Sequence, residues 1–260
     1  MTLLAAIFSV LFGLAFGSFL NVCIARLPRH ASVVRPRSHC PSCGNPIHAG
    51  DNIPVLSWIL LGGRCRHCRW PIPWRYPLVE LGTALLFLLS CLTFGVTLEA
   101  VGMAVLCFLL FGLAIMDAET LLLPDAFTLP GITLGIIFSG LTGGWRAAAW
   151  SAVYALGAAV LILLIRAIYW LVRRREGMGL GDAKLLALIA AWLGLRQTLL
   201  VLFLGVVSAA IFGLLCVWRK KARSALQFTQ LPLGSFLCAA AIYAIFCGEQ
   251  TIKWYLQFFR

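Results

Sequence analysis

The chain has 260 residues, of which 62% are hydrophobic and 12% charged, and its mean hydropathy is +0.96. A water-soluble domain is about half apolar and about a quarter charged, so this composition excludes an ordinary soluble protein and indicates an integral membrane protein. Lysine and arginine outnumber aspartate and glutamate by 21 to 9, which gives a formal charge of +12. That excess must lie in the few segments that reach water, and it favours anionic membrane lipids as a partner and not nucleic acid.

Long apolar stretches predict an all-α, polytopic membrane fold. A membrane-spanning helix needs about 20 mostly apolar residues, and the sequence contains eight such stretches, of which the sixth is short. In chain order they cover residues 2–25, 78–96, 99–117, 126–142, 147–170, 183–195, 198–218 and 232–247. We therefore expect about eight transmembrane helices.

The segment between the first two stretches, residues 26–76, is the only long polar part of the chain. It holds eight arginines, all four histidines and four cysteines, and it predicts a separately folded domain between a first transmembrane helix at 1–25 and a seven-helix membrane domain at 77–260. Cytoplasmic loops are enriched in lysine and arginine, and with eight spans fifteen basic residues fall on the side of this segment. The charge bias thus predicts a cytoplasmic loop and extracytoplasmic chain termini.

Four cysteines in the polar segment have the spacing of a metal site. Cys40 with Cys43 and Cys65 with Cys68 form two C-x2-C pairs separated by 21 residues, which supply four thiolates for a tetrahedral Zn²⁺ ion. A reducing cytoplasmic location favours ligation over disulfides. A site closed by four sulfurs has no open position for water, so we expect structural Zn²⁺ that folds the loop and not a catalytic metal. Unligated or redox-active cysteines are the alternative.

Two acidic residues lie at the ends of apolar stretches, where charge is unexpected. Asp117 ends the third stretch, and Asp182 follows the glycine-rich segment 177–181. The span count and the charge bias bring both to the cytoplasmic edge of the membrane, where charged groups indicate function by default. Two carboxylates that meet can share one proton, so that one acts as base toward water and the other as acid toward the scissile carbonyl or the leaving amine.

Helix capping is the structural alternative for the acids near this edge. Asp125 follows Pro124 at the start of the fourth stretch, where capping accounts for it without catalysis. Asp182 could likewise cap the sixth stretch, with Lys184 as its exposed partner. Two other functions stay open on the residues alone: a non-enzymatic membrane protein with a zinc module, and a transporter that uses Asp117 and Asp182 as a proton or ion relay.

Two observations favour chemistry over capping. Gly179 and Gly181 leave the backbone next to Asp182 without side chains, which would let an extended substrate strand approach closely. Asp117 has no capping role, because the C-terminal end of a helix carries the negative end of the dipole and disfavours an anion. Such a position would suit the acid partner of a carboxylate pair.

Six strings, in order along the chain, resemble a known family. They are Gly17–Val22, Arg26–Pro28, the two C-x2-C pairs, Tyr76–Glu80, the segment from Asp117 through Leu121–Asp125, and Gly177–Lys184. In these strings the chain resembles the bacterial prepilin peptidases, or type IV leader peptidases, within the GxGD group of intramembrane aspartic proteases. The resemblance covers nearly the whole chain. Leu180 departs from the tyrosine common among relatives, at a variable position.

The resemblance implies that Asp117 and Asp182 are the catalytic pair. The residues that it places near this pair are Asp125, Gly179, Gly181 and Lys184. It implies that the substrates are prepilins and pseudopilins of type IV pilus or type II secretion systems, cut at the cytoplasmic face of the bacterial inner membrane between a short basic leader and a hydrophobic helix. The four-cysteine loop implies the bifunctional form, which also methylates the new N-terminus with S-adenosylmethionine. The sequence identifies no residues that bind this methyl donor.

Overall fold

The computed structural model describes residues 3–174, 179–219 and 231–258. Two of the sequence features above lie partly outside this range. They are the first residues of the glycine-rich string, Gly177 and Met178, and four of the counted basic residues, Arg175, Lys220, Lys221 and Arg223.

The described residues form helices and no strand, as the sequence predicts. Seven α-helices occur in them: α1 Leu3–Arg26, α2 Leu56–Leu60, α3 Arg75–Phe94, α4 Leu98–Thr120, α5 Asp125–Arg173, α6 Leu180–Arg219 and α7 Leu233–Gln257. Single 3₁₀ turns lie at Leu27–Arg29 and Ala49–Asn52. By length and composition, six of these helices, all except α2, can cross a membrane, so the predicted class of an all-α polytopic membrane protein is confirmed.

Breaks in two long helices explain why the structure has six long apolar helices where the sequence shows eight apolar stretches. α5 and α6 have 49 and 40 residues, and at about 1.5 Å per residue a straight helix of either length would be about twice the thickness of the hydrocarbon core. Gly144 in α5 and Gly194 in α6 have φ angles of +76° and +72°, which interrupt the helical geometry and which glycine adopts readily. The breaks lie between the fourth and fifth predicted stretches and near the end of the sixth, so each of these two helices covers two predicted stretches. Counted as helices that can cross a membrane, the described residues contain six, and the prediction of about eight was loose.

The chain forms two compact units, residues 1–108 and 109–260, with the boundary inside α4. The first unit is built on the close contact of α1 with α3. A Cβ atom at Gly13 or at Gly17 would lie 2.5 or 2.7 Å from a Cα atom of α3. Glycines four residues apart allow this approach of two membrane helices. One turn further along α1, Asn21 Nδ2 donates to the carbonyl oxygen of Tyr76 at 3.0 Å, so the two helices run antiparallel.

The second unit places the first half of α6 at its centre. Leu185, Leu186, Leu188 and Ile189 are all 1% exposed or less, which is the pattern of a helix that is packed on all sides. The hydroxyl of Ser151 in α5 donates to a backbone carbonyl of α6 at 2.7 Å. Because this part of α6 is enclosed, the position of its N-terminal turn is fixed by the surrounding helices.

We predict that Gly13→Ala destabilises the protein by about 1–3 kcal/mol, because the added methyl group would overlap the backbone of α3. The matched control is Gly157→Ala in α5, where a Cβ atom has no neighbour within 4 Å and the greater helix propensity of alanine favours the folded state. Thermal unfolding of the purified proteins in detergent measures both effects. Equal melting temperatures for the two variants would contradict the close α1–α3 contact.

Candidate active site and metal site

Asp117 lies in α4, three residues before that helix ends at Thr120, and its residue surface is only 5% exposed. Its Oδ2 atom accepts two hydrogen bonds from Ser235 in the first turn of α7, one from the backbone N–H at 2.6 Å and one from the hydroxyl at 3.0 Å. The sequence prediction considered only the unfavourable dipole of α4. The structure adds the N-terminus of α7, whose donors and positive dipole end favour a carboxylate at this place.

Gly234 makes this approach possible. A Cβ atom at this position would lie 3.0 Å from both Cγ and Oδ2 of Asp117 and 3.1 Å from Cδ1 of Leu123. Those distances are tighter than ordinary van der Waals contacts, so a side chain at this position would have to displace one of its neighbours. Glycine therefore lets the first turn of α7 lie directly against the carboxyl group.

Asp182 is the third residue of α6. Its Oδ2 atom accepts a hydrogen bond from the backbone N–H of Gly179 at 3.2 Å. A carboxylate that reaches back to the N–H three residues earlier is half of a capping box, so the capping role considered from the sequence is present. Within the described residues, Asp182 Oδ2 has this one donor, whereas Asp117 Oδ2 has two.

The structure brings Asp117 and Asp182 to one site in the second unit. The two carboxylates interact electrostatically with each other, and both interact with the thiol of the buried Cys238 in α7. Leu123 lies between the two glycines that adjoin these acids. Its side chain would be 3.1 Å from a Cβ atom at Gly181, which precedes Asp182, and also 3.1 Å from one at Gly234, which lies against Asp117. Two acids from distant stretches of sequence thus share one location.

Asp125 and Lys184 pair with each other beside this site. Asp125 is the first residue of α5, and its carboxylate lies 2.6 Å from the ammonium group of Lys184 in α6. The capping expectation for Asp125 needs correction, because Pro124 takes the N-cap position and Asp125 follows it as the first residue of the helix. The expectation that Lys184 pairs with Asp182 is corrected too, since its observed partner is Asp125. Both side chains are at least 36% exposed, and an exposed ion pair contributes little to stability.

The four predicted cysteine ligands come together in the first unit. The sulfur atoms of Cys40, Cys43, Cys65 and Cys68 all lie within 4.8 Å of one another, and those of Cys40 and Cys68 are 3.7 Å apart. Four sulfurs at about 2.3 Å from one tetrahedral ion are about 3.8 Å apart. The donor set and its spacing therefore fit a metal ion.

Each cysteine pair lies in a turn with the same backbone pattern. The N–H of Cys40 donates to the carbonyl of Asn45 at 2.9 Å, and the N–H of Cys65 donates to the carbonyl of Trp70 at 2.8 Å. In both turns the residue after the second cysteine has a positive φ angle, +71° at Gly44 and +58° at Arg69. Backbone N–H groups of Cys43 and Ser42 also lower the pKa of the Cys40 thiol to about 6, which favours the thiolate that binds metals.

An ion pair braces the second of these turns. The guanidinium group of Arg66 donates to both carboxylate oxygens of Asp51, with Nε 2.8 Å from Oδ2. This hydrogen bonding, with the positive charge of Arg66, lowers the pKa of Asp51. The 3₁₀ turn Ala49–Asn52 is thereby attached to the cysteine cluster.

Glu80 attaches the polar loop to a membrane helix. It lies in the second turn of α3, it is only 7% exposed, and its Oε2 accepts the backbone N–H of Val55 at 2.7 Å. Val55 has a φ angle of +60°, which is rare for a β-branched residue. The buried carboxylate thus holds an unusual turn at the start of α2. Sequence reasoning could find Glu80 only as an acid near a helix start, and it could not find its partner.

Comparison with known proteins shows the family. Residues 11–94 match the model of the Bacterial Peptidase A24 N-terminal domain, and residues 104–214 match that of the Type IV leader peptidase family. A protein of Aeromonas salmonicida strain A449 is 37% identical over 95% of this chain and 92% of its own length. The chain belongs to the type IV leader peptidase family. This membership confirms the resemblance found in the sequence.

Two further relatives support the same family. A Pseudomonas aeruginosa protein is 36% identical over 96% of this chain and 93% of its own length. A Myxococcus xanthus protein is 44% identical over 82% of this chain and 63% of its own length. These two proteins and the Aeromonas protein are each named prepilin leader peptidase/N-methyltransferase. No solved structure matches the chain.

We predict that Cys40→Ser lowers the amount of metal that copurifies with the protein to a small fraction of the wild-type amount, because a serine hydroxyl does not replace a thiolate ligand. Elemental analysis of the purified protein gives the metal content per chain. The control is Cys216→Ser, which changes a half-buried cysteine of α6 outside the cluster. Equal metal content in the two variants would show that the four sulfurs are not the ligands.

Proposed function

We propose that this protein is a prepilin peptidase of the bacterial inner membrane that hydrolyses the leader peptide with Asp117 and Asp182 and then methylates the new N-terminus. The convergence of these two carboxylates in one unit of a type IV leader peptidase family member supports the peptidase activity most directly. The names of the relatives and the four-cysteine loop support the methyl transfer.

The peptide bond is broken by proton transfer between the two carboxylates, water and the substrate. One aspartate accepts a proton from water as the water oxygen bonds to the carbonyl carbon, and the other gives its proton to the carbonyl oxygen. The tetrahedral intermediate then collapses as its carbon–nitrogen bond breaks. The leaving amine takes the proton from the first aspartate, and one hydroxyl of the intermediate returns its proton to the second aspartate as the carbonyl of the new carboxylic acid forms. The pair ends with one shared proton, as it began.

The location of the pair suits a substrate with an apolar helix and a polar leader. Asp117 lies near the end of α4 and Asp182 at the start of α6, so both lie at helix ends and not at helix centres. A pilin precursor whose helix lies among the spans would present its scissile bond at this depth. Gly179 and Gly181 leave room beside Asp182 for the extended strand.

The proposed orientation and metal follow from charge and ligand type. The basic loop and the active site face the cytoplasm, and both chain termini lie on the other side. Lysine and arginine near the surface attract anionic lipids. The metal is Zn²⁺, held by Cys40, Cys43, Cys65 and Cys68, where it stabilises the loop and leaves no coordination position for a catalytic water. S-adenosylmethionine supplies the methyl group.

We predict that Asp117→Asn and Asp182→Asn each lower the rate of leader cleavage by at least about 10²- to 10⁴-fold, because an amide can neither accept nor give the required proton. Cleavage of a prepilin by the purified protein in proteoliposomes measures the rate, with the protein amount held equal. Asp125→Asn is the matched control, since it removes a carboxylate from the exposed pair with Lys184. Rapid cleavage by either of the first two variants would refute the catalytic role of the aspartate pair.

We also predict that Cys40→Ser impairs methylation more than cleavage, because the cysteine cluster lies in the first unit and the aspartate pair in the second. Mass spectrometry of the mature pilin separates unmethylated from N-methylated product. A chelator is expected to spare cleavage, since no metal takes part in that step. Equal loss of both products would mean that the loop supports the whole fold.

A further inference from the structure

The two hydrogen bonds from Ser235 distinguish the two oxygens of the Asp117 carboxylate. Oδ2 accepts the backbone N–H at 2.6 Å and the hydroxyl at 3.0 Å. A carboxylate oxygen offers about two lone-pair positions, and both positions of Oδ2 are occupied while the N–H and the hydroxyl donate to it. A proton that Asp117 accepts therefore goes to Oδ1.

The same donors distinguish Asp117 from Asp182. Hydrogen bonds to a carboxylate favour its ionised form, and bonds to an ionised group are shorter and stronger than neutral ones. Asp117 Oδ2 receives two such bonds from the first turn of α7, whereas within the described residues Asp182 Oδ2 receives one, from the N–H of Gly179 at 3.2 Å. Both carboxylates lie at a helix N-terminus, so the hydroxyl of Ser235 makes the difference between them. The proton shared by the pair is accordingly held by Asp182.

We propose that Ser235 is a positioning residue that fixes Asp117 as the base of the pair, with Oδ2 anchored and Oδ1 free to accept the proton of the attacking water. Asp182 then gives its proton to the carbonyl oxygen of the substrate. This inference rests on the proposed peptidase function. It assigns different roles to two chemically identical side chains. The dipole of α4 alone would make Asp117 the acid of the pair, whereas the contacts with Ser235 make it the base.

The hydroxyl of Ser235 has a second acceptor, which suits a group that works next to a changing charge. Its Oγ lies 2.8 Å from the carbonyl oxygen of Ala114 as well as 3.0 Å from Asp117 Oδ2. A hydroxyl has one proton, so it donates to one acceptor at a time. The charged carboxylate is the stronger acceptor before catalysis, and the carbonyl can take over once Asp117 is protonated.

The backbone N–H of Ser235 is also aimed at Asp117. It lies 2.6 Å from Asp117 Oδ2 and 3.2 Å from the carbonyl oxygen of Pro232. This donor belongs to the first turn of α7 and would remain in a Ser235→Ala variant. The variant therefore removes one of two donors, and a partial loss of rate is expected instead of a complete one.

The test compares steady-state cleavage of a prepilin by the full chain in proteoliposomes. Loss of one hydrogen bond to a charged group predicts that Ser235→Ala lowers kcat about tenfold or more. KM stays within about twofold, because Ser235 acts through Asp117 and does not contact the substrate. Ser235→Thr keeps a hydroxyl and is expected to retain kcat within about threefold. Ser208→Ala is the control, since that hydroxyl donates to a carbonyl of its own helix at 3.0 Å.

A second variant addresses the case in which Ser235→Ala does not fold. Gly234→Ala keeps both donors but adds a methyl group 3.0 Å from the carboxyl carbon of Asp117, so it displaces the carboxylate from its anchored position. It is also expected to lower kcat about tenfold without raising KM. Wild-type kcat in a folded Gly234→Ala protein would overturn the proposal, because the position of the carboxylate would then not matter.

Each result decides one of the two proposals. Wild-type kcat in Ser235→Ala, with Asp117→Asn inactive, would overturn the positioning role and leave the peptidase function in place. A raised KM with unchanged kcat, or a Ser235→Thr variant as slow as Ser235→Ala, would also overturn it. Rapid cleavage by Asp117→Asn would instead refute the aspartate dyad on which the inference rests.

Discussion

The second unit depends on the need to satisfy a carboxylate that is almost entirely buried. Removing an unpaired carboxylate from water is far more costly than any single packing contact can offset. The N-terminal turn of α7 meets this need with donors that helix formation leaves unused. The position of α7 is thereby tied to that of α4, because a shift of either would leave Asp117 without its hydrogen bonds. The same contact that stabilises the carboxyl group also orients it.

Several features could be predicted from the sequence because their signals are local. The membrane helices follow from runs of apolar residues, and the four-cysteine cluster follows from two pairs of cysteines with fixed spacing. Asp117 and Asp182 stand out because charge is rare in such a chain. The positions of the helix breaks were also visible, since Gly144 lies between two apolar stretches and Gly194 near the end of another.

The remaining contacts could not be predicted because they join distant parts of the chain. Ser235 is 118 residues from Asp117, and a serine at the start of an apolar helix has no pattern that identifies its partner. Lys184 was assigned to the nearer acid, Asp182, but it pairs with Asp125, which belongs to another helix. Glycine next to serine at the start of the last apolar stretch is a local signal of a close approach, but it does not say which residue approaches.

Helix N-termini explain how the pair can be both fixed and unequal. Both aspartates accept a backbone N–H from the N-terminal turn of a helix, Asp117 from α7 and Asp182 from its own helix, α6. A backbone donor cannot rotate away as a long side chain can, so these N–H groups hold each carboxylate in place without adding a charge to the site. The added hydroxyl of Ser235 then makes the two environments different. A pair of identical acids needs such a difference to divide the roles of base and acid.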